Sequence, residues 1–337
     1  MTRRRPVSAA APDDSTRRAG LIGFAAFAAL LALYLSLPEK VFVFDGIMFS
    51  AIIERAVDEW RVELFNRRHL LFNPLMMGLR DLLVKLGFEW GGYAVIQRAN
   101  AALAAAGVFV FFFALRRCGL AGAPAFAAAA ALAFSRAYWA RAVEGQVYMS
   151  MSVGALLVLW AAAGLLASPS RRRAWILSAA LAGAMLVHAA NLALIPGAAL
   201  AWFFAARRSG DRGLWWAPAG GAAAVVLPYL LIFRIDGPAA LLAFLTQASE
   251  SFSPSGSGGL AGLSERFFGG LGALERAAFP LRQAGVSLLA ADGAALALWS
   301  GLGLAAAGAA ALWLLRGDSE RRESAFVLAA LGLAVAA

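Results

Sequence analysis

The chain is 337 residues long, 61% hydrophobic and 15% charged, with a mean hydropathy of +0.71; a soluble domain is about 45–50% apolar and about 25% charged, so an ordinary soluble fold is excluded. The net charge of +10 admits a nucleic acid, an anionic membrane surface or the inner loops of a polytopic membrane protein, and the apolar content favours the last. One cysteine, Cys118, excludes an internal disulfide framework, and two histidines exclude a His-rich metal site.

A helix needs about 20 mostly apolar residues to cross a bilayer. Residues 1–19 carry Arg3, Arg4, Arg5, Arg17 and Arg18 and read as a disordered cytoplasmic tail. The apolar run 20–37 is too long for the core of a cleaved signal peptide, and Pro38-Glu39-Lys40 is no small-residue cleavage site. It is expected to be a retained signal anchor. Further apolar runs are 93–115, 121–137, 146–167, 174–190, 192–206, 214–233, 294–315 and 324–337. The chain is therefore expected to be an all-α, polytopic membrane helical bundle of about nine spans, with residues 20–337 as one membrane domain. The pair 174–190 and 192–206 is short enough for a tight hairpin within the bilayer. The last run has 14 residues, which suggests a longer parent protein.

Alternating these spans from a cytoplasmic N-terminus places residues 1–19, 116–120, 168–173, 207–213 and 316–323 inside. They hold 16 of the 30 basic residues and 6 of the 20 acids, so the whole excess of ten lies there and the remainder balances. This is the arginine bias of cytoplasmic loops. It removes the need for a nucleic-acid partner and points to an inner (plasma) membrane, multi-pass protein.

Two long segments then lie outside, 38–92 and 234–293, and loops of this length are usually folded or functional. In the first, Ile53, Val57, Trp60 and Leu64 repeat at helical spacing, with Glu54, Arg55, Asp58 and Glu59 opposite. Leu75, Leu79, Leu82 and Leu86 repeat likewise. Two short amphipathic helices in the membrane interface are expected. Between them, Asn66-Arg67-Arg68-His69-Leu70-Leu71-Phe72-Asn73-Pro74 is a basic turn at headgroup height. It is either a phosphate-binding turn or an interfacial anchor of snorkelling arginines. In the second segment, Ser251-Phe252-Ser253-Pro254-Ser255-Gly256-Ser257-Gly258-Gly259 has linker composition.

Ionisable residues beside apolar spans are costly. Asp45 follows Val41-Phe42-Val43-Phe44 and precedes Gly46. It suits a general base at the membrane surface, or the N-cap of a helix starting near Ile47. In Phe134-Ser135-Arg136-Ala137-Tyr138-Trp139-Ala140-Arg141-Ala142-Val143-Glu144-Gly145-Gln146-Val147-Tyr148, helical spacing would put Arg141, Glu144 and Tyr148 on one face. The plainer reading is an aromatic belt with a surface ion pair. His188 and Asn191 lie within apolar sequence before Pro196, and Arg98 and Asn100 open the second span. Each could simply hydrogen-bond between helices.

Together these stretches resemble the C-type glycosyltransferase superfamily and, within it, the bacterial O-mannosyltransferase-like membrane proteins. The likeness rests on Asp45-Gly46 with His69…Pro74 downstream, on Trp139…Ala142-Val143-Glu144…Val147-Tyr148, and on His188…Asn191…Pro196, over about residues 20–210. The chain departs from the family where His69-Leu70-Leu71-Phe72-Asn73-Pro74 replaces a His-Pro-Pro-Gly-Tyr-Pro stretch. It departs again where Gly145-Gln146 precedes Val-Tyr in place of Ala-Glu.

The resemblance implies an inverting transferase that moves a sugar from a polyprenyl-phosphate donor to an acceptor hydroxyl on a protein, lipid or glycan, on the outer face. Asp45 would be the base. Arg67, Arg68 and Arg141 would hold the phosphate. His69 and Glu144 would orient acceptor or sugar, Trp139 and Tyr148 would pack a sugar or prenyl face, and His188 and Asn191 would complete the substrate site. No metal or cofactor is expected; membrane lipids are expected partners. The rival classes are a transporter or lipid flippase, against which the lack of an internal repeat counts, and a catalytically silent scaffold.

Overall fold

A computed structural model describes residues 14–40, 42, 44–55, 64–66 and 68–233, and every regular element among them is helical. The first helix, α1 (Asp14–Ser36), starts inside the segment read as tail and covers the signal-anchor run. The runs 294–315 and 324–337, the segment 234–293 and Arg67 lie outside the described residues.

The segment 38–92 does contain helices, placed differently from the expected pair. The helix α2 (Phe44–Arg55) starts three residues before the expected Ile47. Asp45 therefore sits within its first turn, where an acid suits the helix dipole. It is not the N-cap, and among the described residues it has no hydrogen-bond or ion-pair partner. Val57 and Trp60 lie outside the described residues. The next helix, α3 (Phe72–Lys85), buries Phe72, Asn73 and Met76. Its leucine stripe faces the other way, with Leu75, Leu82 and Leu86 all more than half exposed. An apolar stripe turned away from the protein is what an interfacial helix needs. The helix stops at Gly87, whose φ of +88° only glycine adopts cheaply. The Phe88 N–H then donates to Leu83 O and the Gly87 N–H to Val84 O, closing a Schellman turn.

Six helices follow in the bundle proper: α4 (Gly92–Arg117), α5 (Gly122–Phe134), α6 (Arg136–Val143), α7 (Tyr148–Ala167), α8 (Arg171–Val187) and α9 (Ile195–Ser209), with α10 (Trp216–Phe233) after a short 3-10 turn. Four helical stretches, Gly92–Arg117, Tyr148–Ala167, Ala189–Ser209 and Arg212–Phe233, are long and apolar enough to cross a membrane, and Gly23–Ser36 and Gly122–Phe134 are shorter apolar helices.

The run 121–137 is not one helix. It breaks at Ser135, which is extended, and α6 starts at once in a new direction. Arg141 and Tyr148 thus belong to different helices, contrary to their sequence spacing. The link between α8 and α9 is a six-residue 3-10 turn, Ala189–Leu194, entered through an extended His188. Pro196 in the first turn of α9 cannot continue α8's hydrogen bonding backwards. Asn191 takes up the freed groups, donating through Nδ2 to Ala184 O at 2.9 Å and Met151 O at 3.4 Å.

The core is built from small residues, which let helices approach closely where lipid offers no hydrophobic drive. Ala101, Ala104, Ala105 and Gly107 of α4 face Tyr138 and Val153, and the Tyr138 hydroxyl donates to Ala104 O at 2.8 Å. Helices α4, α7, α8 and α9 each run between two unlike ends. One end gathers Arg116, Arg117, Arg171, Arg172, Arg173, Arg207, Arg208 and Arg212. The other gathers Tyr93, the α6–α7 corner, Tyr148 and His188.

Candidate functional site

The corner between α6 and α7 is the centre of this second end. Residues 142–147 are all buried, yet the backbone leaves the helix at Glu144, so its polar groups need partners from elsewhere. Two polar residues of α4, one turn apart, supply them. Asn100, wholly buried, donates through Nδ2 to Glu144 O at 2.8 Å and Gln146 O at 2.6 Å. Gln97 donates through Nε2 to Val143 O at 2.7 Å and Glu39 O at 3.0 Å, and the Glu39 N–H also donates to Val143 O at 3.0 Å. Asn100 thus serves the corner rather than a plain helix–helix contact, and Gln97, one turn before it, does the same. Their spacing within an apolar span was the available signal.

The corner presents a compact charged group. Arg141 Nη1 donates to Glu144 Oε1 at 2.6 Å and Gln146 Oε1 at 3.2 Å, and its guanidinium stacks over Tyr148 with Cζ 4.4 Å from the ring centroid. Glu144 is 8% exposed, so this is no ordinary surface pair. Nη2 and Nε of Arg141 have no protein acceptor among the described residues. The arginine is thus aimed by its neighbours with donors to spare.

Asp45 approaches this corner through a glycine contact. A Cβ on Gly46 would overlap Gly145 O and stand 2.8 Å from Tyr93 Cε2, and a Cβ on Gly145 would stand 2.6 Å from Tyr93 Cζ. Backbone therefore touches backbone, and the first turn of α2 lies against the residue after Glu144. The Gly145 N–H donates to the Tyr93 hydroxyl at 3.4 Å. Asp45 itself is half-buried and, among the described residues, has no hydrogen-bond or ion-pair partner.

One turn along α2, Phe49 meets the basic turn, with its ring 5.6 Å from His69 and 5.4 Å from Phe72. His69 packs at 4.5 Å on His188, and His188 lies 5.9 Å from Tyr148. The basic turn is tied by backbone to the break after α8: the Ala189 N–H donates to Arg68 O at 2.8 Å and the Leu71 N–H to Leu186 O at 2.9 Å. His188 Nδ1 accepts from the Ala190 N–H at 3.1 Å, which leaves the proton of the neutral ring on Nε2. Burial, then the neighbouring His188 and Arg68, push the His69 pKa down to about 3, so this ring is neutral at neutral pH. His69 Nδ1 and both polar atoms of the wholly buried Asn73 have no hydrogen-bond partner.

Arg68, His69, Arg141, Glu144, Tyr148 and His188 therefore fall in one continuous region, with Asp45 joined to it through Gly46 and Phe49. Arg67 lies outside the described residues. Trp139 turns to the other side of α6, packing on Tyr34 at 5.1 Å and Phe134 at 6.1 Å. Asn191 is occupied in holding the α8–α9 break. Arg98 stacks over Trp90 at 4.1 Å. Among the described residues, no three His, Cys, Asp or Glu side chains gather as metal ligands would.

A family model described as the protein O-mannosyl-transferase TMEM260 N-terminal domain matches residues 94–211. The stretch is under half of the chain and includes the α6–α7 corner, His188 and Asn191, while Asp45 and the basic turn precede it. The match is consistent with a mannosyltransferase-like membrane protein. No curated protein sequence matches the chain.

Proposed function

We propose that the chain is a membrane glycosyltransferase of mannosyltransferase type, taking its sugar from a polyprenyl-phosphate donor and passing it to an acceptor hydroxyl. The observation that carries this reading is Asp45: a carboxylate without a partner among the described residues, in the first turn of α2, held through Gly46 against the corner that carries Arg141 and Glu144. The similarity of residues 94–211 to a protein O-mannosyl-transferase domain supports the same class.

The chemistry asks for two things. The acceptor oxygen must lose its proton as it attacks C1 of the sugar, and the phosphate oxygen must carry off the electron pair of the breaking C1–O bond. Asp45 receives the proton. The spare N–H groups of Arg141, with Arg67 and Arg68 of the basic turn, meet the departing polyprenyl phosphate. A single displacement of this kind inverts the configuration at C1. Glu144 aims Arg141, Tyr148 offers a flat face to sugar or prenyl chain, and neutral His69 is a hydrogen-bonding partner for a sugar or acceptor hydroxyl. A lipid-borne donor accounts for a site beside helices whose apolar stripe faces outward. The arginine-bearing opposite end supports a reaction on the outer face of the inner membrane, by the usual charge bias.

The test is transfer of labelled mannose from polyprenyl-phosphate mannose in proteoliposomes, with peptide, lipid and glycan acceptors in separate arms. Wild-type transfer with inversion is expected, and Asp45→Asn is expected to remove it. Uptake or flipping of the donor without transfer would replace this reading by the transporter class.

A further inference from the structure

At the arginine-bearing end, two like charges are held together by the fold. Arg117, the last residue of α4, lies across α7. Its Cζ is 3.9 Å from the Trp160 ring centroid, and its Nη1 donates to Trp160 O at 3.3 Å. One turn further along α7 is Gly164, where a Cβ would stand 2.8 Å from Arg117 Nη1. Glycine is what gives the guanidinium its path. From the other side, Arg173 of α8 donates through Nη1 to Gly164 O at 2.9 Å and Ser168 O at 3.0 Å. Both guanidinium groups converge on the one glycine and repel each other.

Among the described residues no acid relieves that repulsion. Asp211 is taken by Arg171, whose Nε and Nη2 donate to its two oxygens at 2.8 and 3.0 Å. Among the described residues neither Arg117 nor Arg173 has an ion-pair partner. The carbonyls at the end of α7 use only Nη1 of each, so Nε and Nη2 of both remain for another acceptor. The charge bias of membrane loops explains why arginines are at this end. It does not explain why two of them meet over a glycine beside a tryptophan. A phosphate oxygen cluster would satisfy both planar forks at once. The pair also stands where two helices long and apolar enough to cross a membrane end, and the ends of such helices are where headgroups are met.

We propose that Arg117 and Arg173, with Trp160 as a platform, bind the phosphate of an anionic phospholipid at the arginine-bearing end of the bundle. The site is separate from Asp45 and does not depend on the transferase reading.

The probes are phosphatidylglycerol, phosphatidylcholine and inorganic phosphate, added to the purified full chain and followed by native mass spectrometry and thermal unfolding. Wild type is expected to retain phosphatidylglycerol over phosphatidylcholine and to melt higher with it. Arg117→Gln with Arg173→Gln is expected to weaken phosphatidylglycerol roughly thirtyfold, leaving phosphatidylcholine unchanged. Gly164→Ala removes no charge but displaces Arg117, and is expected to reduce the preference as well. Arg207→Gln, at the same end, is expected to leave it. Equal retention of the two lipids by wild type overturns the proposal, and that measurement needs no variant to fold. Equal loss in Arg207→Gln, or an undiminished preference in Gly164→Ala, overturns it in favour of general charge attraction. Displacement of the lipid by millimolar inorganic phosphate, with the same rise in melting, overturns the lipid assignment in favour of a free anion.

Discussion

The two ends of the bundle solve opposite electrostatic problems. At the arginine-bearing end, cations outnumber acids, and the contacts that hold them among the described residues are helix-end carbonyls, one exposed ion pair and the face of Trp160. At the other end the buried Glu144 and the half-buried Arg141 hold each other, with Gln146 and Tyr148 also on Arg141, and the corner itself is fixed by Asn100 and Gln97. An excess of one charge in headgroups tolerates looseness, because solvent and lipid screen it. A buried corner does not, because any group left unpaired there keeps its full desolvation cost. Substitutions should therefore act sharply at one end and weakly at the other.

The largest effect is expected at Asp45. Asp45→Asn keeps the shape of the helix start and removes the proposed base, so transfer should fall by about 10²–10⁴-fold with melting unchanged. Retained transfer would move the chemistry elsewhere. Next is Asn100→Leu, which leaves the Glu144 and Gln146 carbonyls unpaired inside the protein, at about 1–3 kcal/mol each. Both stability and transfer should drop, read by thermal unfolding and the proteoliposome assay. Gly46→Ala should reduce transfer too, since its methyl meets the Gly145 backbone, which cannot swing aside, as well as the Tyr93 ring; overpacking of this kind costs about 1–3 kcal/mol.

Smaller effects follow from titration. His69 stays neutral in the fold down to about pH 3, whereas an imidazole in the unfolded chain takes a proton near pH 6.5. Its burial thus favours folding above that pH, and the contribution is lost as pH falls from about 6.5 toward 3. His69→Phe should flatten the acid side of the stability curve by about one proton in that window. At the other end, the hydrogen bond from Arg171, then that from the Gly213 N–H, hold Asp211 below its usual pKa. That contribution is present above the ordinary carboxylate range and lost on acidification below it. Because the pair is exposed, Asp211→Asn should give the smallest change in melting and none in transfer.

Legibility in the sequence followed the same division. The seven apolar runs up to residue 233 each contain a helix, because lipid demands length and apolarity and both can be counted. The break at Ser135 escaped, since the run 121–137 stays mostly apolar through it. The arginine loops were readable from charge alone. At the site, Glu144, Arg141, Tyr148 and His188 stood out as polar groups in apolar surroundings. What joins them did not. Gly46 and Gly145 lie 99 positions apart and carry no side chain to signal contact. The basic turn is pinned at Arg68 and Leu71 through backbone atoms, which look the same for any residue. Trp139 matched a motif yet faces Tyr34, because the helix it was assigned to ends before it begins its own turn.

The helix α4 touches both regions: Gln97 and Asn100 near its start hold the corner, and Arg117 at its end crosses Trp160. Its 26 residues at about 1.5 Å each make a rod of about 39 Å, longer than the roughly 30 Å of bilayer hydrocarbon. It therefore acts as a gauge that sets how far the corner stands from the arginines at the opposite end. Adding one residue to its middle would lift one end by about 1.5 Å and turn it by about 100°. Every helix packed along it would then have to choose which end to follow.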